Sequence, residues 1–314
     1  MVCTVKLEID NGTTTRPLEL VNCVSFYWNR VLYSPCAELR AEFYKTGEQI
    51  EAESVRKVYF YIDDVLKFKG MPEEIDIKPM GTGCIIKIFS RSYTLLLAQN
   101  EPEPGLMLNK DLEHLITDNV SIPDISWESP TPVVRYTFVK ERSTVWDAIV
   151  AYSVKATGHY PYIWGRGMVR VSFDARQTIN YYPNKLINKG TVMHTANILS
   201  DVYMADTNDE YVYHSHSSDA DELGISRIRY YPLDRQWLYD PDLGLAHKLN
   251  YSQRGIRERY FTYMGYLGEE LMDRAVGCSS ASGMYINSIR VTGTSKGVFT
   301  RVGFFDDKYG QMVT

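Results

Sequence analysis

The chain has 314 residues, 44% hydrophobic and 23% charged, with a net charge of -5 and a pI near 5.8. At ~150 residues per domain this length allows about two domains, and the composition is that of a globular protein rather than a disordered or collagen-like one. No apolar run approaches the ~20 residues of a membrane-spanning helix, and the acidic balance argues against a polyanion partner.

The first ninety residues carry the period of two expected of antiparallel strands. Cys3, Val5, Leu7 and Ile9 alternate with Thr4, Lys6 and Glu8 ahead of an Asn11-Gly12 turn. Ala37, Leu39, Ala41 and Phe43 alternate in the same way with Glu38, Arg40 and Glu42. Residues 58–62, the acidic turn Asp63-Asp64 and residues 65–69 spell a hairpin ending at Gly70. Residues 84–89 add a last strand, enough in all for a small barrel or sandwich.

From Ser90 the pattern turns partly helical. Residues 93–99 form a short helical stretch, stopped by Glu101, Pro102, Glu103, Pro104 and Gly105. Asn109 is placed to cap a second helix through Asn119, with Leu112, Leu115 and Ile116 on one face. Thr144 and Asp147 spell a capping box ahead of Trp146, Ile149, Val150 and Ser153 at helical spacing, with Gly158 as the stop. Residues 160–165 and 168–173 then read as a hairpin. Strands resume at 198–204, 210–216 and 225–231. The stretch between Pro232 and Gly283 is irregular, with one helix predicted over 269–276. Residues 284–291 and 298–305 restore strands, with Thr292-Gly293 and Asp306-Asp307 as turns. The fold class is α+β, mainly β.

Catalytic patterns are not found. Gly81-Thr82-Gly83 precedes a strand and Gly165-Arg166-Gly167 lies between two, so neither cradles a phosphate at a helix start. The five cysteines (Cys3, Cys23, Cys36, Cys84, Cys278) are far apart and form no C-x-x-C, which fits a reducing cytoplasm. The start MVCTVKLEID is not a signal peptide. The best metal candidate is His214-Ser215-His216 with Asp219, Asp221 and Glu222, since two imidazoles two apart share a strand face. The plainer reading, the polar end of a strand entering a loop, is the one adopted. The acidic pairs Asp63/Asp64, Glu73/Glu74, Glu101/Glu103, Glu269/Glu270 and Asp306/Asp307 read as solvated turns. Arg227/Arg229 and Arg254/Arg257/Arg259 read as mixed solvated surface. Tyrosine is in excess, 24 against 11 Phe and 5 Trp. Tyr160, Tyr162 and Trp164 on one strand face read as core, with a sugar-stacking platform or a protein interface as the functional alternative. Tyr230, Tyr231, Trp237 and Tyr239 read as an interface.

The order of these elements carries a resemblance. The hairpin at 58–70, Ser90 to Leu97, Ser143 to Ile149 leading to Gly158–Tyr162, and the closing residues 298–310 resemble the baseplate hub proteins of contractile phage tails and phage-like bacteriocins, relatives of the hub portion of type VI secretion spike proteins. The resemblance implies two tail-tube-like β-barrels with an α+β module between them and an insertion in the second. On that basis residues 1–90 are the first barrel, 91–190 the α+β module, 191–231 with 284–314 the second barrel, and 232–283 the insertion. It implies a homotrimeric ring that adapts a threefold spike protein to the sixfold tail tube beside other baseplate proteins, with DNA only passing through its channel. Made in the bacterial cytoplasm, the chain would end in a virion or tail-like particle. No catalytic residue, metal, cofactor or membrane insertion is implied, and with the chain stopping at Thr314 the spike and any wall-degrading activity fall to other chains. The alternative is a cell-wall glycan-binding or metal-dependent hydrolytic protein using the Tyr160 face or the His214/His216 loop.

Overall fold

The computed structural model describes residues 2–10, 15–47, 50–174 and 177–305. Seven antiparallel strands open it: β1 (Cys3–Asp10), β2 (Thr15–Leu20), β3 (Cys23–Val31), β4 (Glu38–Thr46), β5 (Val55–Ile62), β6 (Val65–Met80) and β7 (Gly83–Ser92). The alternating sequence puts Val5, Leu7, Leu39, Phe43 and Phe60 inward, all essentially without exposure. Asp63 and Asp64 make the β5–β6 turn with φ of +47° and +61°, the backbone that short hairpins prefer. The hairpin ends at Gly70 as read, where Val58 pairs with it, but the strand runs on. Beyond that point β6 leaves β5 and pairs with β7 alone as far as Met80. Pro72 and Pro79 therefore lie where no second neighbour needs their missing donors. The Asn11-Gly12 and Asp306-Asp307 turns lie outside the described residues.

The next stretch builds a separate small core. It comprises α1 (Leu96–Gln99), β8 (Gly105–Lys110), α2 (Leu112–Thr117), β9 (Ser126–Trp127), β10 (Val134–Val139), α3 (Val145–Thr157), β11 (Tyr162–Trp164) and β12 (Met168–Arg170). The capping box forms as read: Thr144 accepts from the Asp147 backbone, the Asp147 side chain accepts from Thr144, and Gly158 ends α3 at φ +70°. The second helix begins later than predicted. Asn109 belongs to β8, which pairs with β10, so Asp111 becomes the cap and accepts from His114 N. Leu112, Leu115 and Ile116 pack against Ile149 and Tyr152 of α3.

The remaining elements are β13 (Thr178–Asn180), β14 (Leu186–Met193), β15 (Asp201–Met204), β16 (Tyr213–His216), α4 (Ser218–Glu222), β17 (Ile228–Tyr231), α5 (Pro241–Gln253), β18 (Arg257–Met264), β19 (Arg274–Val276), β20 (Tyr285–Thr294) and β21 (Gly297–Phe305). Three expectations are corrected here. First, β15, β16 and β17 pair only with one another among the described residues, as a small sheet against α5. Second, the segment read as irregular contains β18, which lies between β14 and β21 in the large sheet. Third, residues 269–276 are a turn followed by β19 rather than a helix. Gly265, Gly268 and Met272 take φ of +94°, +88° and +72°, which no α-helix admits. The helix of this region is α5 instead, begun by Asp240 and Pro241.

The large sheet has thirteen strands, with the path β14-β18-β21-β20-β3-β4-β7-β6-β5-β1-β2. This path has two ends, so no closed barrel forms among the described residues. Its halves join at β3–β20, where Phe26, Trp28 and Arg30 face Gly293, Val291 and Ile289. A β-carbon on Gly293 would lie 2.0 Å from the Phe26 ring, so only glycine admits that contact. One apolar cluster runs through both halves, from Val5 and Phe60 by way of Trp28 to Phe261 and Phe304.

Arg30 is the exception on that apolar face. It is 4% exposed. One guanidinium nitrogen donates to Glu270 Oε2, and the other donates to Ile163 O of β11 at 3.0 Å. The seam, the 265–273 turn and the α+β module thus share one cation. Arg30→Met should cost about 3 kcal/mol in urea unfolding, because Glu270 and the Ile163 carbonyl lose their partner. Arg40→Met, at a solvated site, should stay within ~0.5 kcal/mol.

Candidate functional site

The sequence offered two candidate surfaces, and the structure treats them differently. Tyr160 and Tyr162 are each 1% exposed. Tyr160 donates its hydroxyl to His247 O at 3.1 Å, and Tyr162 packs in the core of the large sheet with Trp164 partly buried beside it. These rings are core, and no sugar could stack on them.

The histidine pair stays on the surface. In β16, His214 and His216 share a face and both bond the same carboxylate oxygen, Asp201 Oδ1 of β15, at 2.9 Å. His216 also bonds Asp221 Oδ2 of α4 at 2.7 Å. This strand register, Asp201 opposite His216, creates the contact. No cluster of three or more His, Cys, Asp or Glu suited to a metal ion occurs among the described residues. The hydrogen bonds from His214 and His216 hold the Asp201 carboxyl down at about 2, while Asp201 and then Asp221 raise His216 above the usual imidazole value.

The same face carries an aromatic row that sequence reading missed. Tyr203 stacks on His214 at 4.4 Å and on Tyr230 at 4.9 Å, and Tyr211 meets Tyr230 edge-on at 5.1 Å. Strand parity placed His214 and Tyr230 separately, but only the pairing of β15 with both β16 and β17 brings them together through Tyr203. The later aromatic cluster divides. Tyr230 and Tyr239 are exposed at 58% and 78%, whereas Trp237 is buried beneath α5.

Two readings of charge are also corrected. Glu269, which reads as solvated turn chemistry, is fully buried, accepting from Tyr263 and Tyr181, and burial pushes its carboxyl up to about 7. Asp273 beside it accepts from Gln177 at 2.5 Å and is pushed up to about 6, again by burial. Arg254, which reads as solvated surface, has its guanidinium over the rings of Tyr33, Tyr160 and Tyr251.

The two ends of the large sheet are the remaining candidates. The edge strand β14 exposes Ile187 at 60% and Met193 at 46%, with Tyr182 nearby at 51%. The other edge, β2, contains Pro17, which lacks a donor, and opposite it Glu8 of β1. An edge with backbone groups and apolar side chains both free can accept a further strand, and an edge with proline resists one.

No family model matches the chain, and no curated protein matches it in sequence. Solved structures match over its whole length. A tail protein from Neisseria meningitidis has a TM-score of 0.70 at 11% identity, covering 98% of both chains. The 43 kDa tail protein of prophage MuSo2 from Shewanella oneidensis has a TM-score of 0.71 at 11% identity, covering 98% of this chain and 99% of the other. The fold is that of phage tail proteins. An Escherichia coli component of the type VI secretion system, described as structurally similar to T4 bacteriophage tail proteins, has a TM-score of 0.59 at 9% identity over 99% of this chain and 79% of its own. No helix among the described residues is long and apolar enough to cross a membrane.

His216 and Asp201 give the small sheet a pH signature. The raised His216 value means its contribution is complete below the ordinary imidazole pKa of ~6.5 and is lost as pH rises through the folded value. The depressed Asp201 value means that contribution also fades as pH falls toward 2. Glu269 and Asp273, raised by burial, likewise weaken the fold as pH climbs from about 4 to 7, so the comparison must be differential. The wild-type thermal midpoint should exceed that of Asp201→Asn by more at pH 5.5 than at pH 8.5. An equal difference at both values would refute the pairing.

Proposed function

We propose that the chain is a structural hub of a contractile-tail baseplate: a homotrimeric ring that adapts a threefold spike protein to the sixfold tail tube and lines part of the central channel. The observation that carries this is the match to tail proteins over 98% of both chains, reached independently of the order of elements that suggested it. In this reading the two strand-rich units are residues 2–92 and the strands β13–β14 with β18–β21, each standing as one tube-like unit of the ring. The α+β module lies between them, and residues 194–256 form the insertion. Three chains would then supply six such units to the tube. The seam at β3–β20 fits this role, since two units rigidly fused within a chain leave only three inter-chain joints to be made. The acidic net charge of -5 suits a channel through which DNA passes without adhering.

The role is assembly rather than turnover. The glycan-binding or hydrolytic alternative rested on Tyr160, Tyr162 and the His214/His216 loop. The first two are buried and the histidines are engaged by Asp201.

The asymmetry of the edges suggests how the ring forms, with β14 as the strand that meets the next copy. Light scattering should give three times the 36.1 kDa of the chain, alone or after addition of its spike. The double variant Ile187→Lys, Met193→Lys should abolish that species while its unfolding free energy in urea moves by less than ~0.5 kcal/mol, as for other exposed substitutions. A chain that remains monomeric with spike and tube proteins present would overturn the hub reading. A trimer unaffected by the double variant would move the contact away from β14.

A further inference from the structure

A pocket of about 400 Å³ lies between the α+β module and the insertion, within the size range of small-molecule sites. One wall is apolar, made by Phe138 of β10 and by Trp146, Val150 and Ala151 of α3. The polar part of the lining includes Lys140, Asp234, Gln236, His247, Lys248 and Arg254.

The charges in this lining do not balance. Lys140 and Lys248 share one carboxylate oxygen, Asp234 Oδ2, at 2.6 and 3.4 Å. The other acid in the lining, Asp147, is already engaged by Thr144 in the α3 cap. Arg254 has three tyrosine faces around it, at 3.9, 4.3 and 4.7 Å. No carboxylate reaches it within ion-pair distance among the described residues. Three cations therefore face one available anion in a site where burial lowers the pKa of Lys248 and holds the His247 imidazole down at about 3.

A second observation points the same way. Gln236 is 4% exposed, and its side-chain carbonyl accepts from Phe138 N at 2.6 Å. That bond fixes the amide so that Nε2 is left buried without an acceptor. A buried donor of this kind costs about 1–3 kcal/mol unless something accepts from it. Donors without acceptors, and cations without anions, are met together by an anion.

We propose that this pocket binds a small organic anion, a carboxylate or phosphate monoester with an apolar body. Arg254 and Lys248 hold the acid group, Gln236 Nε2 donates to it, and the α3 wall takes the body. Because the walls come from two units, such a ligand would fix the insertion on the α+β module whether or not the chain assembles.

Titration calorimetry of the full chain with benzoate and phenyl phosphate, and with benzyl alcohol as the neutral probe, tests this. Saturable one-site binding of at least one anion is expected, with none of the alcohol; which anion binds tells carboxylate from phosphate recognition. Arg254→Met and Lys248→Met should each weaken binding at least about tenfold, a loss typical of a charged hydrogen-bond partner. Lys189→Met, on the β14 edge, should leave it unchanged. Failure of both anions to saturate, or equal affinity in Lys248→Met, would overturn the proposal. Should Arg254→Met not fold, Lys248→Met alone decides, since Lys140 still serves Asp234.

Discussion

One guanidinium sets the terms for the rest of the molecule. Arg30 stands on the core face of β3, the strand where the halves of the large sheet meet, with Trp28 on one side and Ile289 opposite. A cation withdrawn from water to this degree is tolerable only with its hydrogen bonds made. Its two partners come from outside the sheet: Glu270 from the turn after β18, and Ile163 O from the hairpin of the α+β module. The chain after β18 consequently cannot continue as a helix. It must present Glu270 at the seam, and in doing so it carries Glu269 and Asp273 inward as well. Those two carboxylates are met by tyrosine hydroxyls, by Gln177 and by backbone donors, and their raised pKa values record what burial costs them. The join between the three units is therefore polar at its centre and apolar all round. Such an arrangement confers register more than raw stability, since an apolar substitute could pack there but would not choose its partners.

How much of this was legible follows from the range of the forces involved. The strands β1, β4 and β7 could be read because a half-buried strand writes its two faces as alternation. The β5–β6 turn and the α3 cap could be read because each is settled within four residues. Errors arose wherever a distant segment decided. Asn109 is a sound helix cap in isolation, but β10 takes residues 105–110 into a strand and moves the cap to Asp111. Residues 225–231 read correctly as a strand, yet alternation does not say which sheet a strand joins, and β17 went to the small one. The burial of Glu269 and the ring contacts of Arg254 were equally invisible, because each depends on rings brought from elsewhere in the sequence. In contrast, α5 had a local signal that went unread. Asp240 followed by Pro241 is a cap and a first-turn proline, but Gly244 and the scatter of Leu243, Leu245 and Leu249 hid the helical period.

The candidate surfaces were legible to a similar degree. His214 and His216 were recognised as a pair on one face, which is a matter of strand parity alone. What they do there depends on Asp201, thirteen residues earlier than His214, and on the parallel pairing that brings Tyr230 into line. The outcome is a stacked and hydrogen-bonded face in which both imidazoles bond one carboxylate oxygen of Asp201.

The ends of the large sheet complete the physical picture. An open sheet of this size must either protect its edges or use them. At β2 the edge carries Pro17 and is followed directly by the turn into β3, so a further strand would find a donor missing. At β14 seven of the eight residues pair with β18, with a register shift at Ile187, and Ile187 and Met193 are exposed with Lys189 as the one charge in the strand. A single lysine is weak protection for a strand of that length, and two exposed aliphatic side chains work against it. Were both edges like β14, copies could add at either end and the sheet would grow without limit. With one edge blunted and one open, β14 meeting β14 would close only a dimer, so a ring requires β14 to meet a surface of the next copy other than β2, a heterologous contact that closes only when each copy turns through a fixed angle. The rigid seam at Arg30 is what would hold that angle constant from one copy to the next.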